Sequence, residues 1–412
     1  MSRALRTVAA LALAAALPAL AAAQEAPVRV SKDAAPGAAP APLRDSTTRA
    51  AVLSAVRRVM DRAVADSAFP GGFAIVGDAG GGTVAYGAGR IDWPADAPPP
   101  DARTIWDMAS LTKVVATTSA MLQLVAQGKV DLDAPVQRYL PEWTGPNKER
   151  VLVRHLLSHS SSLPSWRPLY KEATSPESAL ALVLGTQLDT VAVGTRYLYS
   201  DLNAILLGEI TRRVSGSRLD AYLARHVYGP LGMRDTRYLP PASELARTAP
   251  TEFDPWRQRN VRGEVHDENA FALGGVSGHA GLFSTAADLS RFARAYLNGG
   301  ALDGTRVFDA ATIARFTRVV DSAVSRRALG WETPTGGNSA GHYLSRRAFG
   351  HTGFTGTSLW MDPERGVYVI LLTNRVNPTR QNTRIGGVRV ALADEAMRAL
   401  GAPAVFPLPS RP

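Results

Sequence analysis

Ser110 and Lys113 stand three residues apart in Trp106-Asp107-Met108-Ala109-Ser110-Leu111-Thr112-Lys113. On a helix that spacing puts both side chains on one face, a turn apart. A serine hydroxyl is a weak nucleophile at neutral pH and needs a base beside it. Lysine can be that base only if its pKa falls well below about 10.4, through burial or a neighbouring positive charge. The positive end of a helix dipole acts in the same direction. The only lysines are Lys32, Lys113, Lys129, Lys148 and Lys171, with arginine at every other cationic position. Arginine does not give up its proton in a protein, so a lysine at 113 points to chemistry beyond charge. The plainer reading is a helix start with a capping serine and a solvated lysine.

Two further stretches offer what this pair would need. In Gly194-Thr195-Arg196-Tyr197-Leu198-Tyr199-Ser200-Asp201-Leu202-Asn203 a glycine turn enters a helix, and Tyr199 sits at the junction. A tyrosinate beside a lysine ammonium can exchange a proton with Ser110 as a general base. The alternative is an ordinary buried aromatic. In Ala348-Phe349-Gly350-His351-Thr352-Gly353-Phe354-Thr355-Gly356 a glycine-flanked strand edge admits a substrate backbone. There the amide N–H groups of Phe354 and Ser110 would form a two-donor oxyanion hole. The alternative is a glycine-rich turn between strands.

The elements that must position these residues follow from periodicity. A helix is expected over residues 46–65, with apolar Val52, Val56, Met60 and Val64, followed by a hairpin over 73–78 and 83–87 turning at Gly80-Gly81-Gly82. A long buried helix covers 110–127 and stops at Gly128. Further helices are expected over 153–157, 176–184, 202–214, 219–227 and 286–297, the last opened by the capping pair Thr285 and Asp288. Strands return over 347–350, 357–361 and 367–373, with a turn at Asp362-Pro363-Glu364-Arg365-Gly366, and a final helix covers 386–400. Strands from both chain ends would form one antiparallel sheet with the terminal helices packed on it. The helical middle is then an insertion, and a cleft lies between the two parts.

Composition is that of an ordinary globular chain, 45% hydrophobic and 20% charged. Residues 1–23 have the form of a signal peptide: Arg3 and Arg6, an apolar stretch from Val8 to Leu20, and Ala21-Ala22-Ala23 before Gln24. Their removal takes the net charge from +10 to +8, carried by scattered arginines, which is no nucleic-acid footprint. Residues 24–44, rich in alanine and proline, form a linker. The catalytic domain is assigned to 45–403, with an α/β part at 45–106 and 321–403 and a helical part at 107–320. With no cysteine there is no thiol nucleophile, disulfide or lipid-anchor cysteine. His155 and His159 are four apart, a metal-compatible spacing, but lack an evident third ligand; a hydrogen-bonding His159 is preferred. Gly275-Val276-Ser277-Gly278 is no complete G-x-S-x-G elbow, and Gly350 to Gly356 lacks the P-loop ending.

The three stretches, in this order and with these separations, resemble the serine β-lactamase and penicillin-binding protein superfamily in its class C-like branch, over about residues 46–400. That branch includes class C β-lactamases, D-alanyl-D-alanine carboxypeptidases, aminopeptidases and esterases. Ser110 and Lys113 match S-x-x-K, Tyr199 and Asp201 match Y-x-N, and His351, Thr352 and Gly353 match K-T-G, often H-x-G in this branch. Leu156-Leu157-Ser158-His159-Ser160-Ser161-Ser162-Leu163-Pro164 resembles a common family stretch, with Ser162 where glycine is usual. His266 and Asp267, with Gly278-His279-Ala280-Gly281, resemble envelope-hydrolase members, and this loop is expected beside the cleft. The resemblance implies an α/β (α+β) β-lactamase-like fold and an acyl-serine mechanism without metal or organic cofactor. It also implies a small-molecule or peptide substrate (a cell-wall fragment, an ester or a β-lactam) in an exported, periplasmic or secreted monomer.

Two departures bear on mechanism. Asp201 replaces the usual asparagine; facing Lys113, its carboxylate would raise the lysine pKa and shift the role of base to Tyr199. His351 replaces the lysine that holds a substrate carboxylate in true β-lactamases and carboxypeptidases, and histidine is mostly neutral at pH 7. No E-x-x-L-N stretch is present. Three functions fit: hydrolysis of peptidoglycan-derived D-amino-acid peptides, carboxylester hydrolysis, or acylation by β-lactams or cell-wall fragments without turnover.

Overall fold

The computed structural model describes residues 43–408. The signal peptide at 1–23 and nearly all of the linker at 24–44 lie outside the described residues. Leu43, counted with the linker, is instead buried, its N–H on the Asp78 carboxylate at 3.0 Å. At the other end the packed chain runs past 403, with Phe406 buried and the Val405 N–H on the His342 carbonyl.

Helix α1 (Ser46–Ala65) is capped by Asp45, whose carboxylate accepts the Thr48 N–H at 2.6 Å. Strands β1 (Gly71–Asp78) and β2 (Thr83–Gly89) form the expected hairpin. The C-terminal strands β3 (Phe349–Thr352), β4 (Ser358–Asp362) and β5 (Val367–Thr373) complete one antiparallel sheet in the order β3-β4-β5-β1-β2. Its central junction pairs Ile75 of β1 with Ile370 of β5. The two chain ends therefore build the sheet together, as expected.

Strand alternation divides the core in two. Phe73, Ile75, Leu359, Met361, Tyr368, Ile370 and Leu372 face one hydrophobic cluster, shared with the helical middle. Ala74, Val76, Trp360, Val367, Val369 and Leu371 face the other, built against α1 and the C-terminal helix α2 (Ile385–Ala399). Both faces of the sheet are covered, which is why β1 and β5 are buried along their whole length.

The helical middle differs in detail from the periodicity reading. The run starting at Ala109 is helical but not uniform: a 3₁₀ turn (Ala109–Leu111), a π-helical stretch (Lys113–Thr118) and an α-helical end (Ser119–Ala126). A π stretch at the lysine re-aims the side chains that follow it, a distortion often found at functional sites. The region also carries short strands that were not expected: Trp106–Asp107 pairs antiparallel with Leu282–Ser284, and Arg237–Tyr238 lines the other edge. At Ala286–Leu297 the Thr285 hydroxyl accepts the Asp288 N–H at 3.2 Å. The reciprocal half of the box is absent, because the Asp288 carboxylate turns to Asp235 N–H and the Thr236 hydroxyl.

Candidate active site

The short strand at Trp106–Asp107 delivers the chain to the serine. Asp107 is buried; one carboxylate oxygen accepts the Ala109 N–H at 2.8 Å and the other the His266 N–H at 2.7 Å. Ala109 takes a φ of +44°, a left-handed conformation costly for an alanine. Asp107 offsets that cost and fixes the sharp turn on which Ser110 is presented.

Lys113 is 3% exposed, and its ammonium has three partners. It donates to Ser110 Oγ at 2.9 Å and to the His279 carbonyl at 3.0 Å, and pairs with Asp201 Oδ1 at 2.8 Å. All three N–H bonds are thereby used. Burial pulls its pKa down, but Asp201 and Tyr199 together outweigh burial and hold it above the ordinary lysine value. The condition for a lysine base, a depressed pKa, is not met; Asp201 faces Lys113 and raises its pKa, as its place in the sequence suggested.

The residues around the pair are held by close packing. Gly278 lies where a Cβ would meet the Ala204 carbonyl at 2.0 Å, so only glycine lets the 277–280 turn sit against the helix Asp201–Ser215. That approach brings the His279 carbonyl to Lys113. Tyr199 is half-buried, with its ring 5.0 Å from Lys113 Nζ. Burial pushes its phenol up, against the pull of Lys113 and of hydrogen bonding to Ser110. His159 holds this junction in place. Its Nδ1 lies 3.1 Å from Ser200 N and 3.2 Å from Asn203 Nδ2, its carbonyl accepts the Leu198 N–H, and its ring lies 4.6 Å from that of Tyr199. It is a buried structural histidine, and His155 does not join it in a ligand set: its Nδ1 accepts the Leu152 N–H. Ser162, where glycine is usual, adopts φ +64°, the left-handed conformation glycine favours.

The third stretch divides in its behaviour. His351 is buried behind Tyr199, ring centroids 5.9 Å apart, away from the serine cavity. Its Nδ1–H donates to the Thr352 carbonyl and its Nε2 accepts from Arg327, both at 2.8 Å. Burial, then Arg327 and Lys113, push it well below the usual histidine value, so it is neutral. The carbonyls of Thr352 and Gly353 both take internal bonds, the first from His351 and the second from Arg389. The N–H groups of Ser110 and Phe354 have no acceptor among the described residues. The Phe354 ring is half-exposed, stacked 5.8 Å from His266 and covered by Arg375 at 4.3 Å.

Ser110, Tyr199, Asp201, His266, Asp267 and Phe354 line a cavity of about 300 Å³, with Trp166, Glu268 and Arg380. A larger cavity of about 510 Å³ beside Pro176 and Leu219 carries no such chemistry. Asp267 accepts the Ala270 N–H and pairs with His279 Nε2 at 2.9 Å. His266 Nε2 meets Glu252 at 2.6 Å, and Arg380 joins Glu252 to Glu268 at 2.5 and 2.7 Å. Ligand atoms of Asp201, Asp267 and His279 fall within 4.8 Å of one another. A cation there would have to displace Lys113 from Asp201. Asp107, Arg327, Glu252, Glu268 and Arg380 were not singled out from the sequence. Asp107 sat in view within the first motif and Glu268 beside His266 and Asp267, whereas Arg327, Glu252 and Arg380 lie in segments with no periodic signal.

A family model described as Beta-lactamase matches residues 56–393. The chain belongs to the β-lactamase family and is a serine hydrolase. An N-acetylmuramyl-L-alanine amidase of Bacillus subtilis (strain 168) is 35% identical over 308 residues, 66% of this chain and 68% of its own length. A putative D-alanyl-D-alanine carboxypeptidase of Salmonella typhimurium is 33% identical over 319 residues, 68% of this chain and 72% of its own. The crystal structure of a penicillin-binding protein homologue from Caulobacter crescentus shares the fold, with TM-score 0.68 at 23% identity over 84% of this chain and 97% of that one.

Proposed function

We propose that the protein is an exported hydrolase that cleaves amide bonds in cell-wall-derived peptides through an acyl-Ser110 intermediate. The observation that carries this reading is the Lys113 ammonium on Ser110 Oγ and Asp201, beside two backbone donors with no acceptor among the described residues. Ser110 attacks the carbonyl carbon, and its proton passes to Tyr199 when the Tyr199–Lys113 pair has lost one proton. The N–H groups of Ser110 and Phe354 receive the oxyanion. The C–N bond breaks, and the amine leaves with the proton returned by Tyr199. Water then attacks the acyl carbon, its proton going through Tyr199 back to Ser110 as the acid departs.

The names of the amidase and carboxypeptidase relatives support a cell-wall peptide as substrate. The charges favour an amide bond inside the fragment over one flanked by a free carboxylate. His351 is neutral, Arg327 is buried on His351 and Glu332, and Arg380 is held by two glutamates, so no free cation faces a substrate carboxylate among the described residues. The half-exposed Phe354 ring favours apolar acyl esters as a second class.

The test compares N-acyl-D-alanyl-D-alanine with its carboxamide, and a p-nitrophenyl ester, in wild type and Ser110→Ala. The carboxamide is expected to react at least about tenfold faster than the acid, with an acyl adduct on Ser110 in the intact mass and a loss of about 10²–10⁴ in kcat for Tyr199→Phe. Preference for the acid would make the protein a carboxypeptidase, and ester turnover alone an esterase. A stable adduct without turnover would make it a sensor. Full activity in Ser110→Ala would sink the mechanism.

A further inference from the structure

Arg389, on α2, lies across the sheet from the serine. Its Nη2 donates to the Gly353 carbonyl at 2.6 Å and to the Thr357 carbonyl at 2.8 Å. The Gly353 carbonyl belongs to the same peptide unit as the Phe354 N–H, and in a trans peptide the two point in opposite directions. Anchoring the carbonyl on Arg389 therefore directs that N–H away from α2. The next carbonyl, of Phe354 itself, is fixed by Arg375 Nε at 2.7 Å, so the turn is pinned on both sides. A cation on the carbonyl also polarises the whole peptide unit and makes its N–H a stronger donor.

The charge balance around Arg389 is unusual. No carboxylate lies within ion-pair distance of it among the described residues, and its Nε is shut from solvent without an acceptor. Burial, with Arg375 adding, pulls its pKa down to about 10, so the guanidinium is still charged at neutral pH. A part-buried cation whose hydrogen bonds all go to carbonyl oxygens, with only the more distant Glu332 offsetting its charge, is costly. A negative charge arising at the far end of the Gly353–Phe354 peptide would compensate it, and an oxyanion on Phe354 N–H is such a charge.

We propose that Arg389 is a positioning residue for the reaction, delivering positive charge to the oxyanion through the Gly353–Phe354 peptide. This rests on the reading of Ser110 and Phe354 as the oxyanion donors. The test uses Arg389→Gln, which keeps a donor and loses the charge, beside Arg389→Lys, which keeps the charge. Substrates are a p-nitrophenyl ester and its thiono analogue, whose sulfur takes the oxyanion position and accepts hydrogen bonds poorly. Arg389→Gln is expected to lower kcat on the oxygen ester by about 10–100-fold, with KM within about threefold, and to shrink the oxygen-over-sulfur preference. Arg389→Lys should stay within about fivefold of wild type on both measures. Wild-type kcat in folded Arg389→Gln would overturn the proposal. So would an unchanged oxygen-over-sulfur ratio, or a folded Arg389→Lys that loses kcat tenfold or more. Ester turnover that survives Ser110→Ala would instead overturn the parent reading.

Discussion

A carboxylate at position 201, where the family usually has asparagine, changes the proton inventory at the nucleophile. Asp201 lies 2.8 Å from Lys113 and raises the pKa of both Lys113 and Tyr199. The proton that must leave this pair before Ser110 can be deprotonated therefore leaves at higher pH than it would beside a neutral amide. Activity is expected to rise with pH on the alkaline side. Asp201→Asn removes the anion, so the rising limb of kcat/KM should move to lower pH, by about 1–3 units. A pH profile of ester hydrolysis for the two proteins measures this, and a limb that stays in place refutes the assignment of the titrating pair.

At the level of elements, the site depends on the contact between the end of β3 and the turn before Ser110. Gly353 makes that contact: a Cβ there would sit 2.4 Å from the Met108 carbonyl and 2.1 Å from Thr357 Oγ1. Thr355 and Thr357 hydroxyls also donate to the Asp107 and Met108 carbonyls, at 2.7 and 3.1 Å. Gly353→Ala must push the strand end away and separate the Phe354 N–H from the Ser110 N–H. The expected cost is about 1–3 kcal/mol in stability from overpacking, and about 10²-fold or more in kcat from misplacement. A thermal melt beside steady-state kinetics checks both, and a fully active Gly353→Ala would show that the contact does not set the donor geometry.

For the whole molecule, the sheet that joins both chain ends carries helices on one face and the catalytic middle on the other, and Ser110 lies where the middle meets the edge strand β3. The chain is strongly basic, yet its serine cavity is lined by Asp201, Asp267 and Glu268 against Arg380. The local field at the serine is therefore distinct from the global charge. Export is proposed from residues 1–23 together with the cell-wall names of the relatives. The mature protein recovered from outside the cytoplasm should begin at Gln24 by mass spectrometry; a chain retaining Met1 in the cytosol would contradict it.

Local spacing alone left the plainer readings of Ser110, Lys113 and Tyr199 open; what singled them out was the resemblance of three stretches, in one order, to a known family, and the order of such stretches is a property of the sequence. The sheet was legible from the residues themselves: apolar strands such as 73–78 and 367–373 announce themselves by type, and they fall at the two ends of the chain. Tertiary structure alone decided what surrounds each group. It gave the Lys113 ammonium its three partners, placed His351 behind Tyr199, and brought Arg389 under the Gly353–Phe354 peptide from 36 residues away. Those outcomes depend on burial and on charges that meet only after folding. A pKa or a donor direction is set by distances of a few ångströms between residues far apart in the chain, and a linear sequence does not contain them.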